Sequence, residues 1–292
     1  MTLDMDDKFF KKMFNTSECP IIDFGLEDMS QKAQKLTGKL SISGVQPKLS
    51  MKLDKKKNPL IPVAEGGEYI LKSQITAFPN IPENEQCCMD IAEKFEIDIP
   101  LHCLLPLKDG SLAYIVKRFD RGAGVKIHQE DFSQILEEED KYKGSVEQIG
   151  RKLKEISAAP GYDVQLFFER VVFNFIVGNG DAHLKNYSIS YQDKETIRLT
   201  PAYDIVCSKL VIPDETDSAL AINGKNNKLK REDFERLADY LNIPSKIRFE
   251  KFEKSLNLME TIIKGSKIKN ESQEKFIEII KERLSRLGLA ER

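Results

Sequence analysis

The sequence predicts an α+β fold of two lobes, with a strand-rich N-terminal lobe and a helical C-terminal lobe. The chain has 292 residues, which is enough for about two domains. Apolar and polar residues alternate over short runs in the first part, as in strands, whereas apolar residues recur at helical spacing later. Apolar residues make up 40% of the chain, so a substantial core can form. We expect the lobes to span residues 1–118 and 119–292.

The first predicted elements are strands. Residues 39–53 alternate apolar and polar side chains around a Gly-Val-Gln-Pro centre, which predicts a hairpin. Residues 68–73, with the sequence EYILKS, predict a short strand.

A helix and a second hairpin complete the N-terminal lobe. Residues 81–95 have a helical pattern that begins with acidic residues, where the helix dipole favours anions. Residues 101–107 and 111–119 then flank Asp109-Gly110, a strong hairpin signal.

The C-terminal part predicts several helices, ending at Gly265 and Gly288. Their apolar residues recur at helical spacing in three groups: Phe234, Leu237 and Leu241; Phe249, Phe252, Leu256 and Met259; Phe276, Ile279, Ile280 and Leu284.

Composition excludes several classes of protein. The net formal charge is −2, whereas a general nucleic-acid binder needs an excess of positive charge. No apolar run is long enough for a transmembrane helix, and the N-terminus lacks the basic and apolar stretches of a secretory signal. The five cysteines show no C-x-x-C spacing, which favours neither a disulfide framework nor a zinc site. We therefore expect a cytoplasmic protein without a membrane partner.

The chemistry is concentrated in residues 167–190. A helical apolar stretch ends at two glycines, and a polar loop with the sequence GDAHLKN follows. Asp181 precedes Asn186 by five positions, which is the Asp-to-Asn offset of the protein-kinase catalytic loop. In that pattern the Asp orients a hydroxyl nucleophile and the Asn ligates Mg²⁺.

A second carboxylate follows at Asp204, 18 residues after Asn186 and just past a predicted strand. It is suitably placed to bind the metal that bridges the nucleotide phosphates. Taken singly, Asp181, Asn186 and Asp204 fit a cap or a turn at least as well. Their order and spacing together favour phosphoryl transfer.

The N-terminal lobe should then hold the nucleotide. The small-residue turn at 41–48 would let backbone N–H groups approach phosphate oxygens, although Pro47 has no N–H to offer. Lys72 could reach the phosphates and pair with Glu85, and residues 114–119 could form the hinge that presents backbone groups to adenine.

These segments resemble the HipA family of serine/threonine kinase toxins. The similarity runs in family order from about residue 39 to 207, through S-I-S-G-V-Q-P-K, E-Y-I-L-K, N-E-Q-C-C-M-D-I-A, V-K-R-F-D-R, H-Q-E-D-F-S-Q-I-L with K-Y, G-N-G-D-A-H-L-K-N-Y-S and L-T-P-A-Y-D-I-V. The resemblance implies a bilobed, protein-kinase-like fold that uses ATP and Mg²⁺.

The resemblance also implies roles for particular residues. Asp181 would be the catalytic base, and Asn186 and Asp204 would bind the metal. His183 would orient the loop or lie near the phosphates, with a purely structural role as the alternative. The other residues implied in nucleotide binding are Ser43, Gly44, Val45, Gln46, Lys48, Lys72, Lys117, Phe119 and Tyr203.

One departure points to a branch of the family. Long members carry an extra N-terminal subdomain before the Gly-rich loop, whereas 40 residues precede Ser41 here. The chain therefore resembles the short HipT branch, in which a separate small protein supplies that subdomain. In that branch the loop serines, here Ser41 and Ser43, are autophosphorylated, and the added charge would repel ATP phosphates. In the alternative, Ser43 only hydrogen-bonds the turn.

The resemblance implies partners as well. The protein substrate would be an aminoacyl-tRNA synthetase, whose phosphorylation stalls translation and growth, and the antitoxin would be a helix-turn-helix protein. This chain has no helix-turn-helix signature, so DNA contact would be indirect.

Two other functions compete with a protein kinase toxin. One is a small-molecule kinase of the aminoglycoside or choline type, although His183 follows Asp181 here instead of preceding the Asp. The other is a catalytically silent binding partner.

Overall fold

The computed structural model describes residues 6–37, 46–54, 58–75, 77–122, 125–193 and 196–289. The chain forms two compact units. The first contains the residues up to Gln86 together with Pro100–Phe119, and the second contains Cys87–Ile99 and the residues from Asp120 onward. The lobe boundary expected between residues 118 and 119 stays a prediction.

The first unit is built on an antiparallel sheet of five strands in the order β2-β1-β3-β5-β4. Its elements are helices α1 (Asp7–Phe14) and α2 (Leu26–Thr37), strands β1 (Lys48–Leu53), β2 (Leu60–Pro62) and β3 (Tyr69–Ser73), the beginning of helix α3 (Ile81–Lys94), and strands β4 (His102–Pro106) and β5 (Leu112–Lys117).

Strand β1 alternates buried and less buried side chains, whereas β3, β4 and β5 are buried over most of their length, so the sheet lies in the core of the first unit. Phe14 of α1 lies against Tyr69 of β3 with ring centroids 5.0 Å apart, and the Tyr69 hydroxyl donates to the Met13 carbonyl at 3.0 Å. The predicted strand at 68–73, helix at 81–95 and hairpin around Asp109-Gly110 are confirmed.

The hairpin predicted over residues 39–53 is only partly covered by the described residues. Its first half lies outside the described residues, and its second half is β1. Within the described chain, β1 pairs with β2 and β3.

The second unit is mainly helical, with one three-stranded sheet in the order β10-β9-β8. Its elements after α3 are β6 (Arg121–Gly122), β7 (Val125–Lys126), β8 (His128–Asp131), α4 (Phe132–Ile135), α5 (Val146–Ile156), α6 (Pro160–Ile176), β9 (Ser188–Tyr191), β10 (Ile197–Leu199), α7 (Arg231–Leu241), α8 (Leu256–Gly265) and α9 (Asn270–Arg286). Short 3₁₀ turns occupy Leu184–Asn186, Ser208–Leu210, Ser245–Ile247 and Glu250–Phe252.

Helix α6 is the central helix of this unit and is buried along most of its length. Pro160 occupies its first turn, where a missing N–H costs nothing. The helix ends at Ile176 with Val177 as its C-cap, and Gly178 follows with a φ of 69°, a conformation that favours glycine. The chain then turns back, and Asn179 N–H donates to the Asn174 carbonyl at 2.8 Å. This turn delivers the polar loop to β9.

One predicted helix is wrong at its start. Phe249 and Phe252 belong to a 3₁₀ turn and its N-cap, and α8 begins only at Leu256. The aromatic spacing reflects tertiary packing, since the Phe252 ring lies 6.0 Å from Phe95 and 6.4 Å from Phe173. The helices predicted around Phe234 and Phe276 are confirmed as α7 and α9. No helix among the described residues is both long and apolar enough to cross a bilayer.

Candidate active site

The polar loop between α6 and β9 is closed by a 3₁₀ turn. His183 N–H donates to Asn186 Oδ1 at 2.9 Å, and Asn186 N–H donates back to the His183 carbonyl at 2.9 Å. This reciprocal pair is a local cap that holds the Asn186 amide oxygen on the inside of the loop.

Asp181 lies at the exposed start of this loop. The Tyr142 hydroxyl donates to Asp181 Oδ1 at 2.9 Å. Burial, together with this bond and the charge of Asp181, raises the pKa of Tyr142 to about 12, so the phenol stays protonated at neutral pH. The carboxylate is thus fixed by a donor yet accessible to solvent.

His183 is the buried centre of the loop, and Lys141 Nζ lies 2.8 Å from its Nε2. Burial lowers the pKa of His183 and Lys141 lowers it further, while Asp181 and Asp204 oppose the shift. The net lowering keeps the imidazole neutral.

Asp204 sits on a segment that is tied to the loop. Tyr203 donates its hydroxyl hydrogen bond to the Lys185 carbonyl at 2.9 Å, and the same hydroxyl contacts the Ser188 hydroxyl. Asp204 itself is half-buried with a φ of 55°, a left-handed conformation that Asp tolerates better than most residues. Backbone strain of this kind is often found at functional sites.

The same segment is anchored from behind by buried groups. Arg170 Nη2 of α6 donates to the Thr200 carbonyl at 2.6 Å, and Ala202 N–H donates to the Asp98 carbonyl at 2.7 Å. The second unit therefore brings five predicted residues together: Asp181, His183, Asn186, Tyr203 and Asp204.

In the first unit, Lys72 and Glu85 form the predicted ion pair, with Nζ and Oε1 2.5 Å apart and both side chains buried. Lys72 lies directly opposite Lys48 across the β1–β3 ladder, so the two side chains share one face of the sheet. Gln46 Nε2 donates to the Ser73 carbonyl at 2.7 Å and so fixes the start of β1 to the same place.

The contacts of the other residues predicted to bind the nucleotide say less about that role. Lys117 Nζ donates to the Lys12 carbonyl at 3.0 Å, and burial lowers its pKa. Phe119 is half-buried just after β5. The loop residues Ser41, Ser43, Gly44 and Val45 lie outside the described residues.

Sequence reasoning missed the residues that support the loop from elsewhere. Tyr142 and Lys141 contact Asp181 and His183 from 39 and 42 residues away. Glu215 contacts the Ser208 hydroxyl, which accepts a hydrogen bond from Gly180 N–H at 2.8 Å. Burial is the main cause that raises the pKa of Glu215, and the charge of Asp181 raises it further. The only signal for any of them was the K-Y pair within the family pattern, and it assigned no role.

The fold and this loop together define an α+β protein of the kinase-like class. The chain belongs to the HipA-like C-terminal domain family, whose model matches residues 40–282. The family resemblance expected from the sequence is therefore confirmed.

Curated relatives carry kinase names. The chain is 40% identical over 200 residues to "Putative kinase Y4dM" and 33% identical over 191 residues to "Putative kinase Y4mE", both of Sinorhizobium fredii. It is 31% identical over 194 residues to a "Putative kinase" of Haemophilus influenzae. These matches cover 62%, 60% and 62% of this chain and 48%, 44% and 56% of the relatives. The chain thus matches about half the length of these curated relatives.

Two solved structures share the fold. One is from the Shewanella oneidensis MR-1 toxin–antitoxin complex of HipA, HipB and operator DNA, with a TM-score of 0.70 and 20% identity over 86% of this chain and 66% of that one. The other is the Helicobacter pylori proinflammatory kinase CtkA, with a TM-score of 0.57 and 17% identity over 92% and 95%. At such identities the likeness shows the fold alone.

Proposed function

We propose that this chain is an ATP-dependent serine/threonine protein kinase that acts as the toxin of a toxin–antitoxin system. The observation that carries the proposal is that Asp181 and Asn186 share one short loop, to which the segment carrying Asp204 is tied by the Tyr203–Lys185 hydrogen bond. An exposed carboxylate, an amide oxygen and a second carboxylate in this order are the parts that phosphoryl transfer needs.

The second unit would perform the chemistry. Asp181 would accept the proton of the acceptor hydroxyl, since it is exposed and its orientation is fixed by Tyr142. The oxygens of Asn186 and Asp204 fit Mg²⁺, which prefers carboxylate and amide oxygen ligands. When bound, the ion would neutralise charge on the phosphates.

The first unit would bind the phosphates of ATP. Lys48 and Lys72 are cations at directly opposed positions of neighbouring strands, and like charges there repel each other. Glu85 offsets part of that charge at Lys72. Two cations side by side on one face of the sheet suit the negative oxygens of a polyphosphate such as ATP. Lys117 and Phe119 would lie at the adenine end.

The loop before β1 would regulate binding. We expect Ser43, Gly44, Val45 and Gln46 to contact the nucleotide, and Ser41 and Ser43 to be autophosphorylated, as in the short HipT branch. A phosphate adds nearly two negative charges, which would repel the ATP phosphates.

The partners belong to the same proposal. The Shewanella complex contains HipA, HipB and operator DNA, which supports a helix-turn-helix antitoxin through which DNA is reached indirectly. We expect a separate small protein similar to the N-terminal subdomain of long family members as a further partner. We expect a cytoplasmic aminoacyl-tRNA synthetase to be the target whose phosphorylation stops translation.

The test uses purified protein, γ-labelled ATP, Mg²⁺ and a bacterial lysate, with labelled sites mapped by mass spectrometry. Wild type should label lysate protein on serine or threonine. Asp181→Asn should lower the rate by at least about a hundredfold, because general base catalysis contributes ~10²–10⁴. An Asp193→Asn variant, in an exposed turn of β9–β10, serves as the matched control. Wild-type rates in Asp181→Asn would disprove the mechanism.

A further inference from the structure

The dipeptide Lys141-Tyr142 makes three hydrogen bonds to the catalytic loop. Tyr142 Oη donates to Asp181 Oδ1 at 2.9 Å, and Lys141 Nζ lies 2.8 Å from His183 Nε2. Leu184 N–H donates to the Lys141 carbonyl at 3.1 Å. Two side-chain bonds and one backbone bond therefore join this dipeptide to both polar groups at the front of the loop.

The dipeptide is itself held in a tight turn. The Asp140 carboxylate accepts from Tyr142 N–H at 3.0 Å, and Lys143 Nζ pairs with Glu138 at 2.9 Å. Gly144 follows with a φ of 135°, a conformation that side chains disfavour. The positions of Lys141 and Tyr142 are thus set before any substrate binds.

Tyr142 determines how Asp181 is presented. Its phenol stays protonated at neutral pH and so can act as a donor to the carboxylate. Among the hydrogen bonds of the described chain, Asp181 Oδ1 has this partner and Oδ2 has none. One carboxylate oxygen is therefore occupied and the other is left to accept a proton.

Lys141 determines which nitrogen of His183 carries hydrogen. An ammonium group can only donate, so His183 Nε2 is the acceptor and Nδ1 bears the proton of the neutral ring. His183 is 7% exposed, and Nδ1 has no hydrogen-bond partner within the described residues. The Lys141 cation also lies 4.7 Å from the centre of the Tyr142 ring, which meets the His183 ring edge-on at 5.4 Å. The two residues of the dipeptide therefore support each other.

We infer that Lys141 and Tyr142 are positioning residues for phosphoryl transfer, an inference that rests on the proposed function. Tyr142 holds Asp181 so that Oδ2 faces the acceptor hydroxyl, and Lys141 holds His183 in one tautomer. In the step that they support, the acceptor oxygen bonds to the γ-phosphorus, the bond from that phosphorus to the bridging oxygen of ADP breaks, and the hydroxyl proton moves to Oδ2.

The experiment measures label transfer from γ-labelled ATP to lysate protein across a range of ATP concentrations. Tyr142→Phe removes only the hydroxyl and should lower the maximal rate about tenfold, the size expected for one hydrogen bond to a charged group. The ATP concentration at half-saturation and the thermal midpoint should stay unchanged. Tyr240→Phe is the matched control, because Tyr240 is 50% exposed and Tyr142 is 48% exposed.

Lys141 is tested in the same assay. Lys141→Met should also lower the maximal rate without changing ATP half-saturation, and Lys141→Arg, which keeps a donor, should recover part of it. Lys154→Met, which removes an exposed lysine of α5, is the matched control and should leave the rate unchanged.

Three results would overturn the inference. The first is wild-type maximal rates in both Tyr142→Phe and Lys141→Met. The second is a rate loss fully matched by a lower thermal midpoint, which indicates a merely structural role. The third is phosphate on Tyr142 itself, because the phenol would then be an acceptor. A wild-type protein that transfers no label would instead refute the proposed function, and the inference with it.

Discussion

At the scale of single residues, two tyrosines help to position the two candidate carboxylates, Asp181 and Asp204. Tyr142 donates to Asp181, and Tyr203 bonds the Lys185 carbonyl while its neighbour Asp204 adopts a left-handed conformation. Each tyrosine contributes a rigid ring and one donor. Tyr142 bonds the Asp181 carboxylate directly, whereas Tyr203 fixes the segment of backbone that carries Asp204.

The contribution of Lys72 to stability, through its ion pair with Glu85, should be separable from its contribution to phosphoryl transfer. Removing one partner of a buried ion pair leaves an uncompensated charge, so Lys72→Met should cost about 3 kcal/mol of unfolding free energy. The double variant Lys72→Met, Glu85→Leu should recover most of that stability, because two apolar residues can replace a buried pair. Urea unfolding measures both.

Phosphoryl transfer should not recover in the double variant, since the phosphate-binding cation is still missing. Lys52→Met, at an exposed position of β1, is the control and should change neither stability nor activity. Full activity in the folded double variant would show that Lys72 has no role beyond its ion pair.

At the scale of elements, helix α6 is a buried scaffold that is tied to β10 through its Asp163 carboxylate. The Asp163 carboxylate accepts from Arg198 Nη2 at 2.8 Å, from the Ser157 hydroxyl at 2.6 Å and from Leu199 N–H at 3.0 Å. These bonds join α6 to β10, the strand that leads to Asp204. Burial acts to raise the pKa of Asp163, but the bonds outweigh it and the pKa is lowered.

This pairing predicts a pH dependence of stability. A folded-state pKa below the unfolded one favours the ionised carboxylate in the folded protein. Its stabilisation is complete above the unfolded pKa of ~4 and is lost as the pH falls through the lower folded-state pKa. Asp163→Asn should cost about 3 kcal/mol at pH 7 and less at pH 3, measured by urea unfolding.

The matched control is Asp239→Asn, which removes an ion pair between Arg248 and a largely exposed carboxylate. Exposed pairs contribute less than about 1 kcal/mol, so its effect should be small at either pH. Equal losses in the two variants would contradict the assigned role of Asp163.

Negative charge on the loop before β1 should control the affinity for ATP. Ser41→Asp with Ser43→Asp adds two negative charges just ahead of Lys48, and repulsion should weaken ATP binding about tenfold or more in calorimetry. The alanine pair at the same positions should bind as wild type. Equal affinities for the two pairs would mean that charge on the loop does not control nucleotide binding.

At the scale of the whole molecule, each unit holds a separate part of the proposed machinery. The first unit carries Lys48 and Lys72 on one face of its sheet, and the second carries the candidate loop of residues 181–186 together with the Asp204 segment. The HipA-like family match spans residues 40–282 and so includes both.

Expression in bacteria tests the toxin proposal. The wild-type chain should arrest growth, because phosphorylation of a translation enzyme would stop protein synthesis, whereas Asp204→Asn should not. Growth curves and incorporation of a labelled amino acid are the measurements. Arrest by the Asp204→Asn variant at equal protein levels would show that toxicity does not depend on phosphoryl transfer.

The sequence by itself determined the local parts of this protein. The strand at 68–73, the helix at 81–95 and the hairpin around Asp109-Gly110 follow from short-range periodicity and turn residues. The sequence also placed Asp181, His183 and Asn186 in one loop, because they lie within six consecutive residues.

Only the tertiary structure decided what surrounds that loop. Lys141 and Tyr142 lie about 40 residues before their partners, and no periodicity records where the chain returns. The same reason explains why the helix predicted through Phe252 is absent there: the Phe252 ring is buried against Phe95 and Phe173, which are distant in sequence. Local secondary structure depends mainly on neighbouring side chains, whereas long-range contacts depend on the free energy of packing the whole unit.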